Sequence, residues 1–248
     1  FLMSELRGSS LLATKLNGLE VMSALTCQGK ELPMETLRDI AQSAKRILVP
    51  KSRDALGGVL AFTAITGIEI PETVWDKEYV VAGGRSFRLV PGADMPSQVG
   101  AGWGDVGICS TELVAEAGVS AVRSLRFGES VCRYSVLALE ERAEDWRAFL
   151  TQTSRYVRQP RYLPGSFPNL LGMIAAGRDL PLLPVRGISV SGKGEATMRA
   201  SGIGAVADRV VSGETARKLG GCEVFELAKI YPELVVRRRD ADAYQPAA

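Results

Sequence analysis

Asp208-Arg209-Val210-Val211-Ser212-Gly213-Glu214-Thr215 reads as a strand that breaks into a turn at the mouth of a helix. Val206, Ala207, Val210 and Val211 suit a buried strand. Ser212, Gly213, Glu214 and Thr215 supply hydroxyls, a flexible glycine and free backbone N–H groups. Ala216 to Leu219 suit a short helix, and Gly220-Gly221 would stop it. A helix N-terminus presents unpaired donors and the positive end of a dipole, so it favours anions. The same residues also make an ordinary N-capped turn, and this stretch alone leaves both readings open.

The rhythm extends in both directions. Ile47-Leu48-Val49 is a short apolar strand running into Pro50-Lys51-Ser52-Arg53. A helix is expected over 54–66, with Leu56, Val59, Leu60 and Ala64 on its buried side and Gly67 as its stop. Ile68 to Ile70 and Phe87 to Val90 are strand candidates, followed by a helix over 95–102, a strand at 106–109 and a helix up to Gly118. Cys132 to Leu139 is a longer strand and 141–156 an amphipathic helix. A helix near 170–176 and a strand near 188–190 then lead into the opening stretch. Alternating strands and helices predict an α/β fold with mainly parallel sheets, in two lobes around a cleft.

The predicted division is an N-terminal helical extension over 1–45, a two-lobed region over 46–236 with its second lobe at roughly 140–230, and a polar tail over 237–248. In the extension, Met34, Leu37, Ile40, Ala41 and Ala44 share one helix face after Pro33, as a packing or dimerisation helix would.

Bulk composition removes several functions. At 248 residues and 46% hydrophobic content the chain can bury a large core. Its net charge of +2, with Lys and Arg spread throughout, predicts no nucleic-acid partner. No apolar run approaches the roughly 18–20 residues of a membrane span, so no membrane partner is expected. No signal-peptide pattern is visible, and Cys27, Cys109, Cys132 and Cys222 form no C-x-x-C pair; a cytoplasmic location is the expectation. There is no histidine, which removes Ser-His-Asp and Cys-His nucleophile systems and the commonest zinc sites. Carboxylates, Lys, Arg, hydroxyls and backbone dipoles remain, and phosphoryl or glycosyl chemistry fits that inventory.

Four segments carry candidate chemistry, in order: Lys51-Ser52-Arg53; Arg88 to Pro96, containing Pro91-Gly92-Ala93-Asp94-Met95-Pro96, with Gly102-Trp103-Gly104-Asp105-Val106-Gly107-Ile108; Phe167-Pro168-Asn169-Leu170; and Ser191-Gly192-Lys193-Gly194-Glu195-Ala196 leading to Thr215. Together they resemble the catalytic region of the ATP phosphoribosyltransferase family, over roughly 45–236. The resemblance implies two α/β lobes like type II periplasmic binding proteins. It implies transfer from 5-phosphoribosyl pyrophosphate (PRPP) to N1 of ATP's adenine, with Mg²⁺ and release of pyrophosphate. Asp208, Ser212, Gly213, Glu214 and Thr215 would hold PRPP's 5-phosphate, and Glu195 would bond the ribose hydroxyls. Lys51 and Arg53 would meet pyrophosphate or triphosphate, and Asp94, Asp105 and Arg88 the nucleotide side. From the residues alone, Asp94 could instead be a helix N-cap, Asp105 a turn cap, and Lys51 and Arg53 solvated charges.

The chain departs from the family pattern at Pro91, where many relatives place Arg; at Gly204, where they often place Asp; and at Ser110, in place of Gly. A related phosphoribosyltransferase with another acceptor, or a non-catalytic small-molecule binder on the same fold, are the alternatives. Long-form relatives add a regulatory domain. Only 33 residues follow Thr215 in this sequence, fewer than a further domain of about 50 residues. A short-form-like catalytic chain is therefore expected, insensitive to histidine by itself, homo-oligomeric, and open to a separate regulatory subunit.

Overall fold

The computed structural model describes residues 34–52, 55–185, 197–199 and 202–242. In chain order the first half comprises α1 (Met34–Ser43), β1 (Arg46–Pro50), α2 (Leu56–Thr66), α3 (Val74–Lys77), β2 (Tyr79–Ala82), β3 (Arg85–Val90), α4 (Met95–Gly100), β4 (Val106–Ser110), α5 (Thr111–Ala117) and β5 (Val122–Arg126). The second half comprises β6 (Cys132–Leu139), α6 (Ala143–Leu150), β7 (Arg161–Leu163), α7 (Pro168–Gly177), β8 (Leu182–Pro184), β9 (Ala205–Val210), α8 (Glu214–Lys218), β10 (Gly221–Ile230), β11 (Pro232–Arg237) and α9 (Arg238–Asp242). The strand expected near 188–190 lies outside the described residues.

These elements form a two-lobed α/β fold. The first lobe is built on a six-stranded sheet in the order β2-β3-β1-β4-β11-β5. The second has a three-stranded sheet, β10-β6-β9, and a small parallel pair, β7-β8. The chain leaves the first lobe after β5 and returns to it in β11, so two crossovers join the lobes. The second sheet begins at Cys132, ahead of the expected boundary near 140.

The expectation of mainly parallel sheets is corrected. β1 runs parallel to β3 and β4, but β2 is antiparallel to β3, and β11 is antiparallel to both β4 and β5. The three-stranded sheet is antiparallel throughout. For β11 the cause is topological: a chain that comes back from the second lobe enters the first sheet from the crossover end, against the direction of β4, while β2 and β3 are joined by the tight Gly83-Gly84 turn.

Helix α1 is part of the first lobe. Leu37, Ile40, Ala41 and the following Ala44 are all buried in the cluster that includes Phe62, Phe87 and Leu234. Arg38 and Gln42 donate to the carbonyls of Ile65 and Thr66 at the end of α2. Helix α2 does not bury the face expected of it. Val59, Phe62 and Thr66 point inward, whereas Leu56 is 45% and Leu60 62% exposed. An almost wholly apolar helix has no periodic signal to choose a face. Packing makes the choice at Gly58, where an added Cβ would lie 3.2 Å from Pro232 Cβ.

Asp105 fixes the other end of the sheet. It precedes β4, and its Oδ2 accepts from the backbone N–H groups of Lys45 and Arg46, both at 2.9 Å. Its Oδ1 accepts from Arg46 Nη2 at 2.5 Å and Nε at 3.1 Å, with Arg237 Nη2 at 3.8 Å. Burial alone would raise its pKa, but the Arg46 guanidinium and the two amides hold it below the usual carboxylate range. A depressed folded-state pKa contributes stability above the unfolded value and loses it as pH falls. Asp105→Asn is therefore expected to destabilise the protein by about 1–2 kcal/mol at pH 7. The difference from wild type should shrink as pH drops below about 4, read by denaturant unfolding across pH.

Candidate active site

Both lobes deliver loops to the crossovers. In the first lobe β4 ends at Ser110, opposite Pro232, and the Thr111 N–H donates to the Tyr231 carbonyl at 3.0 Å. In the second lobe β9 ends at Val210, opposite Arg133 at the start of β6. The C-terminal ends of β1, β3 and β4 and the turn after β9 thus open on one inter-lobe cleft, the usual ligand side of strands in α/β sheets.

On the first-lobe wall, Lys51 follows β1 and donates its N–H to the Val90 carbonyl at 2.9 Å, tying the loops after β1 and β3 together. Its ammonium pairs with Glu78 Oε1 at 2.5 Å, and both side chains are exposed. Such a surface pair contributes about 0–1 kcal/mol, so a phosphate can compete for Lys51. Asp94 ends the 3₁₀ turn after β3, is exposed, and makes no side-chain cap bond to α4. It holds the N-cap position of α4 by place but not by a side-chain bond.

On the second-lobe wall, Gly213 takes φ +70°, and the Glu214 N–H donates to Ser212 Oγ at 3.3 Å. Thr215 is exposed on the first turn of α8. The adverse charge of Glu214 is partnered: Lys218 Nζ lies 2.8 Å from Glu214 Oε1, one helical turn on. Asp208 Oδ1 accepts from Ser166 Oγ at 2.8 Å and from the Arg209 N–H at 2.7 Å. Arg133 supports the turn from below, donating through Nη1 to the Val211 carbonyl at 3.2 Å. Glu223 grips that guanidinium at Nε (2.6 Å) and Nη2 (2.5 Å), and also accepts from Ser135 Oγ at 2.7 Å. The Arg133 fork holds the Glu223 carboxyl below its ordinary range.

Two expected nucleotide residues are not brought to this cleft. Asp105 sits at the start of β1 and β4, opposite the cleft end of a five-residue strand about 16 Å long, with its oxygens occupied as described. Arg88 lies mid-strand in β3, and its guanidinium rests over the Trp103 ring, 5.5 Å from the centroid. Arg53 and Glu195 lie outside the described residues. Gly204 precedes β9, at the end of that six-residue strand away from the phosphate turn, so the departure there leaves the turn untouched.

The family model for HisG, ATP phosphoribosyltransferase, matches residues 91–246, more than half of the chain. The chain belongs to the ATP phosphoribosyltransferase family. A structural neighbour is the ATP phosphoribosyl transferase (HisG:HisZ) complex from Thermotoga maritima, with TM-score 0.56 and 16% identity over 79% of this chain and 89% of that one. At that identity the likeness shows the fold. Two further neighbours superpose more loosely. The ligand-binding component of an ABC-type import system from Staphylococcus aureus has TM-score 0.43 and 11% identity over 80% of this chain and 69% of that one. The OxyR2 regulatory domain from Vibrio vulnificus has TM-score 0.41 and 9% identity over 80% and 93%. No curated protein matches the chain.

The residues missed from sequence are those joining the lobes. Glu112 is fully buried beside Ser110 and reaches Arg209 of the second lobe; Glu116 caps α7. Burial raises the Glu112 pKa, against the opposing pull of Arg209. Their only sequence signal is two acids four apart on a short helix, which a solvated face also shows.

Gly213 carries the turn's left-handed conformation. Gly213→Ala adds a Cβ there, 3.3 Å from Arg217 Nη1. The variant is expected to lose about 1–2 kcal/mol in thermal unfolding, with anion affinity falling alongside.

Proposed function

We propose that this chain transfers the phosphoribosyl group of PRPP to an acceptor nitrogen, N1 of ATP's adenine, releasing pyrophosphate. The observation supporting this reading is that, in a family member, the phosphate-competent turn and the first-lobe strand ends share one cleft. The bond from the anomeric carbon to the pyrophosphate oxygen breaks as the carbon–nitrogen bond forms, and no general base is needed while the acceptor nitrogen carries its lone pair.

Ser212, Gly213 and Thr215 would hold the 5-phosphate through hydroxyls and amides at the start of α8, and Asp208 would lie beneath. Lys51, released from Glu78, and Arg53 would offset charge on the leaving pyrophosphate. Glu195 would orient the ribose hydroxyls and face the positive charge that builds at the anomeric carbon.

Among the described residues no group of three or more acidic or Cys side chains could hold a metal ion. Mg²⁺ would be carried mainly by substrate phosphates with one or two protein carboxylates, for which Asp94, exposed at the start of α4, is a candidate. When bound, Mg²⁺ would supply charge neutralisation for the leaving group. No described helix is long and apolar enough to cross a membrane. We place the reaction in the cytoplasm, with the chain acting as a homo-oligomer beside a separate regulatory subunit.

One observation favours a second reading, in which the acceptor is not ATP. Pro91 stands where relatives place Arg, and Arg88 is engaged on Trp103. Among the described residues the loop after β3 thus offers no cation of its own at position 91, which favours an acceptor with fewer phosphates.

The deciding experiment is Mg²⁺-dependent pyrophosphate release with PRPP and ATP, repeated with a panel of acceptors. Release with ATP supports the first reading, release with another acceptor alone the second, and none with any acceptor overturns both. Thr215→Ala is expected to weaken PRPP binding about ten- to a hundred-fold by calorimetry, because it deletes a hydroxyl donor to a dianion. Glu195→Gln should lower turnover more than PRPP affinity; equal losses would make Glu195 a binding residue only.

A further inference from the structure

Helix α5 belongs to the first lobe by connectivity, yet nearly every side chain on one of its faces is spent on the second lobe or the crossover. Thr111 Oγ1 donates to the Tyr231 carbonyl and accepts from the Tyr231 N–H, both at 3.1 Å. Glu112 Oε1 accepts from Arg209 Nη1 at 3.3 Å and from Ser110 Oγ at 2.8 Å. Ala115 is buried in the second-lobe core with Tyr134, Leu170 and Ala207. Glu116 Oε2 accepts from the N–H groups of Asn169 and Leu170, at 2.8 and 3.0 Å, and the Glu116 carbonyl from Asn169 Nδ2 at 3.0 Å. Positions 111, 112, 115 and 116 are neighbours on one side of a helix.

We propose that α5 is a clasp between the lobes, and that Glu112 and Arg209 are a positioning pair that sets the phosphate turn against the first-lobe loops. The inference rests on the function proposed above. Arg209 is the residue after Asp208 and the penultimate residue of β9, which feeds directly into the turn at 211–215. Its side chain is 41% exposed, whereas that of Glu112 is fully buried. Glu112 Oε2 has no hydrogen-bond partner among the described residues. A carboxylate so enclosed depends on its counterion, and breaking such a pair from one side strands the charge that remains. The pair is thus strong only while the lobes keep this spacing. Ser110 holds the carboxylate toward Arg209, and Glu116 locks α7, whose preceding Phe167 ring lies 5.9 Å from the Arg209 guanidinium. Glu112 does not touch the phosphoribosyl donor; it acts through Arg209 and β9.

The test compares wild type, Glu112→Gln, Arg209→Met and the double variant in the full chain. In PRPP-dependent pyrophosphate release, each single variant is expected to raise KM for PRPP about ten-fold while lowering kcat less, and the double variant to be no worse than the worse single one. Amide hydrogen exchange on the ligand-free protein should be about ten-fold faster at 210–216 in Glu112→Gln, with the β1 and β3 amides unchanged. Unchanged KM with unchanged exchange, additive losses, or uniformly faster exchange in both lobes would each overturn the clasp. If Glu112→Gln fails to fold, Arg209→Met, at a part-exposed position, carries the comparison. If wild type releases no pyrophosphate with any acceptor, the proposed function falls, and the exchange pattern alone decides the clasp.

Discussion

The first sheet is completed by a strand that has already passed through the second lobe. β11 lies between β4 and β5, and its Leu234, Val235 and Val236 are buried on alternate faces, two in the cluster with Phe62 and one in the cluster with Leu48 and Met95. Each such side chain contributes about 1.5–3 kcal/mol of burial, and β5 has no other neighbour in the sheet. The second lobe is one continuous segment, 132–230, but the first is not: its sheet is completed only after the chain has passed through the second. The two crossovers lie side by side, with the Val131 N–H donating to the Ile230 carbonyl at 2.9 Å. That antiparallel return turns the C-terminal ends of β1, β3 and β4 toward the second lobe, and the cleft is a consequence of threading rather than of any single loop.

A cleft produced this way needs its walls held at a set distance, and Ser110, Glu112 and Arg209 act together at this point. Ser110, in place of the family's glycine, supplies the hydroxyl that steers Glu112. Arg209, at the mouth of the cleft, supplies the countercharge. Arg133 and Glu223 do the same work inside the second lobe, linking β6 to β10 and to the turn after β9. The phosphate turn is therefore supported from two directions by charged forks, one internal and one from the opposite lobe. This suits a five-residue helix that has little cooperative stability of its own.

Much of this was legible before the structure. The strand 132–139 and the strand-turn-helix around Ser212 stand out because apolar runs end at residues that cannot continue them. Helix α1 was legible because its polar positions are clearly polar. What stayed hidden has a common cause. α2 is apolar on every side, so periodicity could not choose a face. β5, β10 and β11 mix charged with apolar residues, as Val122-Arg123-Ser124-Leu125-Arg126 does, and read as surface loop until a neighbouring strand is known. β11 is placed by a return path that no local signal encodes. Asp105 reads from sequence as a family site residue, whereas its geometry makes it the anchor that joins β1 to β4 through two backbone amides.

The balance of charge across the cleft bears on the acceptor. The second-lobe wall neutralises its own acids: Glu214 is matched by Lys218, Glu223 by Arg133, and Asp208 accepts from Ser166 and a backbone amide. What remains there for a ligand is the donors of the turn, with the part-exposed Arg209 nearby. The first-lobe wall is less generous. Pro91 contributes no charge, Arg88 covers Trp103, and Lys51 is shared with Glu78. A donor carrying pyrophosphate and an acceptor carrying triphosphate together bring more negative charge than these side chains offset. Under the proposed function the difference would fall to Mg²⁺ and to Arg53, or be removed by an acceptor with fewer phosphates. On that reading, charge supply on the first lobe, rather than the shape of the turn after β9, would decide the identity of the acceptor.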